Sequence, residues 1–441
     1  MIFRFLKYVN PIWYFNLKPN VDFGYFPTIE QLKEQSVNFE LDNRYQSDVA
    51  RDRDASWSAF QRGFINKKEK KGIDVWDDKI IIPIVDEYIF IRKNFSKFWI
   101  LYVLFVRICT LNNPIKELFY FFKTRNITRI NFSNNINYKE YDTFESDLLK
   151  ENPLVSVIIP TLNRYDYLID VFKDLEKQTY KNFEVIVVDQ TDNFQESFYE
   201  NWNFKLHFWF QSEKALWKAR NEAIQFSKGD YLLLYDDDSL IDKDWIEQHL
   251  KTLDYFNADL SSGVSISKIG GEVPQHYNFF RWSDQLDTGN VLIKRKVFDN
   301  IGFFDRQFEK QRMGDGEYGL RAYLYGFKNI SNYKAKRIHL KVEKGGLRQM
   351  GSWDGWRPKN YFAPRPVPSV LYLSRKYFGN TLSRWYILSS ILPSIVPYKY
   401  KKSRFLKLLT FLLMPFLLPL ISYQVIKSWK LATLKINIGK I

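Results

Sequence analysis

From residue 153 onward the apolar positions fall into short unbroken runs separated by stretches of helical spacing. Residues 154–159 (LVSVII) form a β-branched run ended by Pro160, and residues 183–188 (FEVIVV) form a second, closed by Asp189. Runs of this kind predict strands buried on both faces. Between them Leu168, Val171, Phe172 and Leu175 repeat as one helix face does. Residues 207–210 predict a third strand, 214–227 a helix, 231–234 a fourth strand after the Gly229-Asp230 turn, and 245–256 another helix. This alternation predicts an α/β layer fold with a mostly parallel sheet flanked by helices. Ligands of such sheets bind beyond the carboxyl ends of the strands, where Asp189 and the triplet Asp236-Asp237-Asp238 fall.

The flanks read differently, and the chain divides into an N-terminal region 1–150, the α/β domain 151–350 and a C-terminal region 351–441. In the first, the charged stretch 47–78 reads as solvated helix and loop, and 80–91 (IIIPIVDEYIFI) as a strand pair or a broken helix. Residues 98–106 are apolar, but Arg107 ends the run too soon to span a bilayer. The first residues (MIFRFLKYVNPIWYF) carry neither a continuous apolar core nor a small-residue cleavage site, so no signal peptide is expected. Residues 408–426 are nineteen positions without a charge, flanked by lysine, about 28 Å long as a straight helix. Pro415 and Pro419 are expected to break or kink it, which favours an interfacial or re-entrant segment over a clean span.

Charge sharpens that picture. The net charge is +15, and from Gly355 on there are fifteen Lys and Arg and no acid, so the rest of the chain is neutral. A neutral body with a basic, apolar tail points to an anionic membrane surface and away from nucleic acid. The 18% aromatic content suits a surface that meets sugars or lipid headgroups. Cys109 is the only cysteine, which excludes an internal disulfide and a thiolate metal cluster.

The candidate chemistry gathers around the triplet. Asp236 and Asp238 offer hard oxygen ligands to Mg²⁺ or Mn²⁺. Asp238 and Ser239 could equally cap a following helix. No Walker loop, H-E-x-x-H or nucleophile elbow is present.

Six blocks carry a family resemblance: VSVIIPTLNR (155–164), FEVIVVDQTDN (183–193), KARNEAI (218–224), GDYLLLYDDDSLID (229–242), TGNVLIKRKVFDNIGFFD (288–305) and GDGEYGLRAYLYG (314–326). In this order they resemble family 2 glycosyltransferases of the GT-A (Rossmann-like) fold, of the bacterial surface-polysaccharide type. The resemblance implies Asp238, then Asp236, as metal ligands, with His339 completing the metal site or touching the diphosphate. A lone histidine is as often structural, and His207, His249 and His276 are read so. It further implies that Pro160, Thr161, Asp189, Arg220, Asp236 and Asp237 line the donor site. Asp315 takes the place of the family's general base, which must accept the acceptor hydroxyl's proton; it also suits a helix N-cap. Two departures stand beside it: Gly314 where glutamate is usual, and Glu317 where a second aspartate is common. Gly289, Asn290, Glu317 and Trp353 are placed on the acceptor side, and Trp353 and Trp356 on a loop able to stack on sugar faces.

These implications amount to an inverting, metal-dependent transferase. Its donor would be a UDP-, dTDP- or GDP-sugar, and its acceptor a glycan or lipid-linked saccharide. It would sit as a peripheral or monotopic protein on the cytoplasmic face of the cell membrane. Thr381–Trp385 (TLSRW) lacks the glutamine of the processive-synthase element, which argues against a polymerase. Two alternatives remain: transfer to polyprenyl phosphate, and a catalytically degenerate GT-A binding or scaffold module.

Overall fold

A computed structural model describes the chain except residues 22, 68–70, 78, 133, 268–276, 343–345, 348–354, 398–399, 401–402 and 440–441. At its centre lies one nine-stranded sheet. Its strands are β1 (Val155–Thr161), β2 (Phe183–Asp189), β3 (Lys205–Phe210), β4 (Tyr231–Tyr235), β5 (Ser239–Ile241), β6 (Leu260–Ser267), β7 (Arg281–Trp282), β8 (Asn290–Lys294) and β9 (Asn329–His339). They run in the order β3-β2-β1-β4-β8-β6-β9-β5, with β7 on β9.

The four strands legible as apolar runs form the parallel half of the sheet, β3-β2-β1-β4. Every residue of β1 and β2 is buried, as two-sided packing demands. β1 does not stop at Pro160 but continues to Thr161. Its ladder with β4 ends at Ile158 opposite Leu234, so Pro160 lies past the point where a missing N–H would cost a bond. Beyond β4 the sheet turns mixed: β8 is antiparallel to β4 and β6, and β9 is parallel to β6.

Residues 1–150 share one hydrophobic core with the sheet domain. The stretch 80–91 resolves as the helix Ile84–Asn94. The helix Asp48–Gln61 is not a solvated one, because Arg53 and Asp54 on it are buried. Their charges are met inside: Lys93 pairs with Asp54 and with Asp42 at 2.8 Å, and Arg53 donates to the carbonyls of Ile2 and Asp74 at 3.1 Å each. The region grips the sheet domain through Tyr323, whose hydroxyl donates to the Leu17 carbonyl at 2.7 Å, and through Lys328, whose ammonium donates to the Asn66 carbonyl at 3.0 Å.

The C-terminal region is a pair of packed helices, Pro368–Ile395 and Arg404–Ile438. The first is interrupted at Gly379, whose φ of 75° and ψ of 175° are not helical. The second runs through Pro415 and Pro419 as one helix, so of the break or kink expected from sequence no break is present. Four positions apart, the two prolines fall on one face. Leu412–Ile438, 27 residues, is long and apolar enough to cross a membrane by length and composition.

Candidate donor and metal site

The carboxyl ends of β1, β2 and β4 meet at one edge of the sheet, with Thr161 in register with Asp189. Thr161 donates its hydroxyl to Asp237 at 2.8 Å, tying β1 to the triplet. The triplet is followed at once by β5, and the next helix begins only at Trp245 behind Asp244. Asp238 and Ser239 therefore cap no helix, and the capping alternative falls away.

β5 pairs with the end of β9, which sets Ser239 opposite His339. Asp236, Asp238 and His339 consequently place ligand atoms within 4.8 Å of one another. The His339 Nε2 lies 3.2 Å from the Asp238 carboxylate. Two carboxylates and an imidazole are a donor set that suits Mn²⁺ or Mg²⁺, and the structure brings together the three residues that the resemblance implied.

Each aspartate is also held by arginine. Asp236 sits between Arg220 (3.0 Å) and Arg337 (2.8 Å). Asp237 and Asp238 share Arg164, at 2.8 and 3.1 Å. Arg337 is fully buried and also donates to both oxygens of Asp287 at 3.0 Å and to the hydroxyls of Ser239 (2.9 Å) and Ser265 (2.6 Å). Burial would raise the Asp287 pKa, but the Arg337 guanidinium outweighs it and holds this carboxyl below its ordinary value. Asp237 behaves oppositely: buried away from water, it is pushed up to about 6 despite Arg164. Among the described residues, four carboxylates thus face three guanidiniums, an excess of negative charge that a divalent cation can neutralise.

Gly289 is where this cluster meets the backbone of the loop before β8. A Cβ there would stand 2.2 Å from both the Arg337 guanidinium and an Asp236 oxygen. The glycine is required by packing. Its neighbour Asn290 is fully buried and faces inward: its carbonyl oxygen accepts from Trp245 (2.8 Å) and His249 (3.0 Å), and its amide donates to the carbonyls of Val264 and Ala335. With its Nε2–H so committed, His249 accepts a hydrogen bond from the Ser261 hydroxyl on Nδ1 (2.9 Å), and burial lowers its pKa to about 4. Asn290 is a core hub, which leaves its acceptor-side reading unsupported.

Asp189 is buried and accepts three hydrogen bonds, from the Thr191 N–H (2.8 Å), Tyr199 (2.8 Å) and Tyr165 (2.5 Å). Arg220 is buried as well; besides Asp236 it donates to the hydroxyl and carbonyl of Thr288 at 2.7 and 2.8 Å. Its chain neighbour Asn221 clamps the Phe304 backbone through two bonds, at 2.9 and 3.0 Å.

Asp315 lies in the first turn of the helix Gly314–Leu324, behind Met313, and so does not cap it. It is partly exposed and accepts the Gly316 N–H at 2.8 Å. The substitution of Gly314 for glutamate has a steric cause: a Cβ there would meet the Trp217 ring at 2.3 Å. Trp217 and Arg220 are one turn apart on the helix Leu216–Phe226, so the indole against Gly314 and the guanidinium on Asp236 share a face. That helix therefore touches both the Gly314 turn and Asp236. Tyr14, from the N-terminal region, donates to the Gly316 carbonyl and braces the same turn.

Glu317 points elsewhere. It is fully buried, accepting from Arg321 (3.0 Å), from Lys376 (3.4 Å) and from Tyr377, so it pins the C-terminal helix pair to the domain and does not line an open site. Trp356 is tied to the Tyr386 hydroxyl at 3.2 Å. Trp353 and His276 lie outside the described residues. Sequence reading passed over Arg164, Arg337, Asp287, Tyr165 and Tyr199. In sequence Arg337 follows Lys334 and Lys336 on a polar strand, so nothing local singled it out.

Residues 156–308 match the family described as Glycosyl transferase family 2. The chain is 27% identical over 166 residues to the glycosyltransferase GlyA of Streptococcus pneumoniae serotype 4, which covers 36% of this chain and 22% of GlyA. It is 30% identical over 189 residues to GlyG of the same organism (36% of this chain, 62% of GlyG), and 28% identical over 165 residues to an Escherichia coli chondroitin synthase (35% and 24%). The chain spans about a quarter of the length of the first curated relatives it matches. Among solved structures it resembles S. aureus TarS 1-349 in complex with UDP-GlcNAc, with TM-score 0.43, 18% identity, and coverage of 65% of this chain and 91% of that one. It also resembles the mannosyltransferase PcManGT from Pyrobaculum calidifontis in complex with GDP-Man and Mn²⁺, with TM-score 0.41, 15% identity, and coverage of 69% and 93%. The family match falls on the central sheet domain, from β1 to past β8, and leaves residues 1–155 and 309–441 outside it.

Proposed function

We propose that the protein is an inverting glycosyltransferase that moves a sugar from a nucleotide donor to a glycan or lipid-linked acceptor at the cytoplasmic membrane face. The observation that carries this reading is the convergence of Asp236, Asp238 and His339 at the end of β4. A bound Mg²⁺ or Mn²⁺ would supply charge neutralisation for the diphosphate as it leaves. Thr161, Asp189 and Arg220 would shape the nucleotide cleft. A base or ribose hydroxyl reaching the buried Asp189 would take the place of the partly exposed Tyr165 hydroxyl. Asp315 would hold the acceptor hydroxyl and receive its proton as the oxygen attacks the anomeric carbon. One base on the acceptor side and one leaving-group site imply a single displacement, hence inversion. The relatives named as glycosyltransferases support the class of reaction, and the basic, apolar tail supports the membrane location.

The test is turnover of a panel of UDP-, dTDP- and GDP-sugars with Mn²⁺, with and without glycan and polyprenyl-phosphate acceptors. Transfer or slow donor hydrolysis that EDTA and Asp238→Ala both abolish is expected. Activity surviving both would remove the metal assignment.

A further inference from the structure

The apolar run at residues 98–106 has a second use. It lies in the helix Lys97–Cys109, which forms a hairpin with the helix Pro114–Lys123, and both pack onto the helix Ile84–Asn94. The first buries Ile100, Val103 and Val106 and exposes Phe98, Leu101 and Phe105 at one-face spacing. The second exposes Ile115 (78%), Phe119 (60%) and Phe122 (58%) in the same way, and Leu111 at the tip is 95% exposed. Contiguous apolar surface of this kind on a folded chain marks an interaction site.

Charge names the partner. Between Tyr88 and Lys139 the only acid is Glu117, which is buried and paired with Arg107 at 2.6 Å. Lys97, Lys116, Lys123, Arg125 and Arg129 are exposed around the apolar stripes. An apolar face ringed by cations without an exposed anion is complementary to an anionic bilayer, where aromatic and leucine side chains enter the headgroup boundary. The 13-residue helix is about 20 Å long, too short to span. The surface also continues toward the C-terminal helices. The helix Leu6–Val9 touches both Lys97–Cys109 and Pro368–Ile395, Arg107 lies 4.9 Å over Phe5, and Tyr8 packs edge-on against Trp385 at 5.7 Å. Trp385 in turn lines an apolar groove with Leu388, Ile391 and Val425.

We infer that the hairpin 97–123 is a second, monotopic membrane-docking element, inserting beside the C-terminal helix pair into an anionic lipid surface. This fixes the body of the enzyme at two points, independently of which sugar it transfers.

The chain's only cysteine, Cys109, is exposed on this hairpin and serves as the reporter. The full chain is labelled there with an environment-sensitive fluorophore and mixed with vesicles of phosphatidylcholine, with or without phosphatidylglycerol. On anionic vesicles that carry the protein in flotation, a blue shift and loss of iodide quenching are expected. The paired substitution Leu111→Glu with Phe119→Glu, both at exposed positions, is expected to abolish the shift while the tail still supports flotation. A probe on vesicle-bound protein that iodide quenches as in solution would overturn the inference, as would failure to float on anionic vesicles. A concentration-dependent shift without lipid, accompanied by dimer in sedimentation, would assign the face to a second copy and overturn it as well.

Discussion

Substituting alanine for Gly289 adds one methyl group at the point where the backbone passes the Asp236–Arg337 pair. The new Cβ would lie 2.2 Å from Asp236 Oδ2 and from an Arg337 nitrogen, whereas ordinary van der Waals contact begins near 3.4 Å. Something must move by about 1 Å, and overpacking of this size costs about 1–3 kcal/mol. Arg337 has little freedom, because Asp287, Ser265 and Ser239 hold it from other sides. Asp236 is the more exposed partner, so its carboxylate should give way, leaving the span it shares with Asp238 and His339. A misplacement of about 1 Å in a catalytic constellation costs on the order of 10²-fold in rate. Gly289→Ala is therefore expected to fold with a modestly lower thermal midpoint but to lose Mn²⁺ affinity and turnover together. Calorimetric titration of Mn²⁺, alongside steady-state donor hydrolysis, reads both. A variant with wild-type metal affinity and turnover would refute the view that Asp236 acts from this position.

Asp315→Asn should keep nucleotide and metal binding while transfer falls by about 10²–10⁴-fold, the usual contribution of a general base; unchanged transfer removes that role. Asn290→Ala strands two buried donors and two carbonyls, and at about 1–3 kcal/mol for each stranded group a destabilisation above about 3 kcal/mol is expected in denaturant melts. A well-folded variant with weakened acceptor binding would instead restore its acceptor-side reading. Burial raises Glu87 from 4.5 to about 7, against two backbone bonds from Arg4 and Phe5, so the folded state holds its proton more tightly. Its contribution to stability is present below about 4.5 and lost as pH rises to about 7. His249, lowered to about 4, contributes in the opposite sense, present above about 6.5 and lost as pH falls. Each is worth up to about 3 kcal/mol across its window. Glu87→Gln should therefore leave melts between pH 4.5 and 6.5 that gain stability with rising pH more steeply than the wild type; identical slopes would contradict the Glu87 shift.

The parallel half of the sheet was legible because its central strands are buried on both faces and write apolar runs interrupted only at Ser156 in β1 and Glu184 in β2. The stretch 80–91 was not, since a short apolar run fits either period, and only its packing, with Phe90 against Phe3 and Trp57, makes it helix. The candidate metal ligands Asp236, Asp238 and His339 were named from the family resemblance, although nothing local shows that β5 pairs with β9. Arg164 and Arg337 were opaque for the same reason. Arg337 reads as one more cation after Lys334 and Lys336 until Asp236, 101 positions earlier, is brought against it. Glu317 misled in reverse: in sequence it resembles a site carboxylate, but Lys376 and Tyr377, some sixty positions later, claim it.

The central claim is that the end of β4 binds a nucleotide through a divalent cation. Calorimetric titration of UDP, dTDP and GDP into the full chain, with Mn²⁺ or with EDTA, and into Asp238→Ala, tests it most directly. At least one nucleotide should bind with Mn²⁺ and lose that binding in EDTA and in the variant. Equal affinity under all three conditions, or no binding of any of them with Mn²⁺ present, would contradict it.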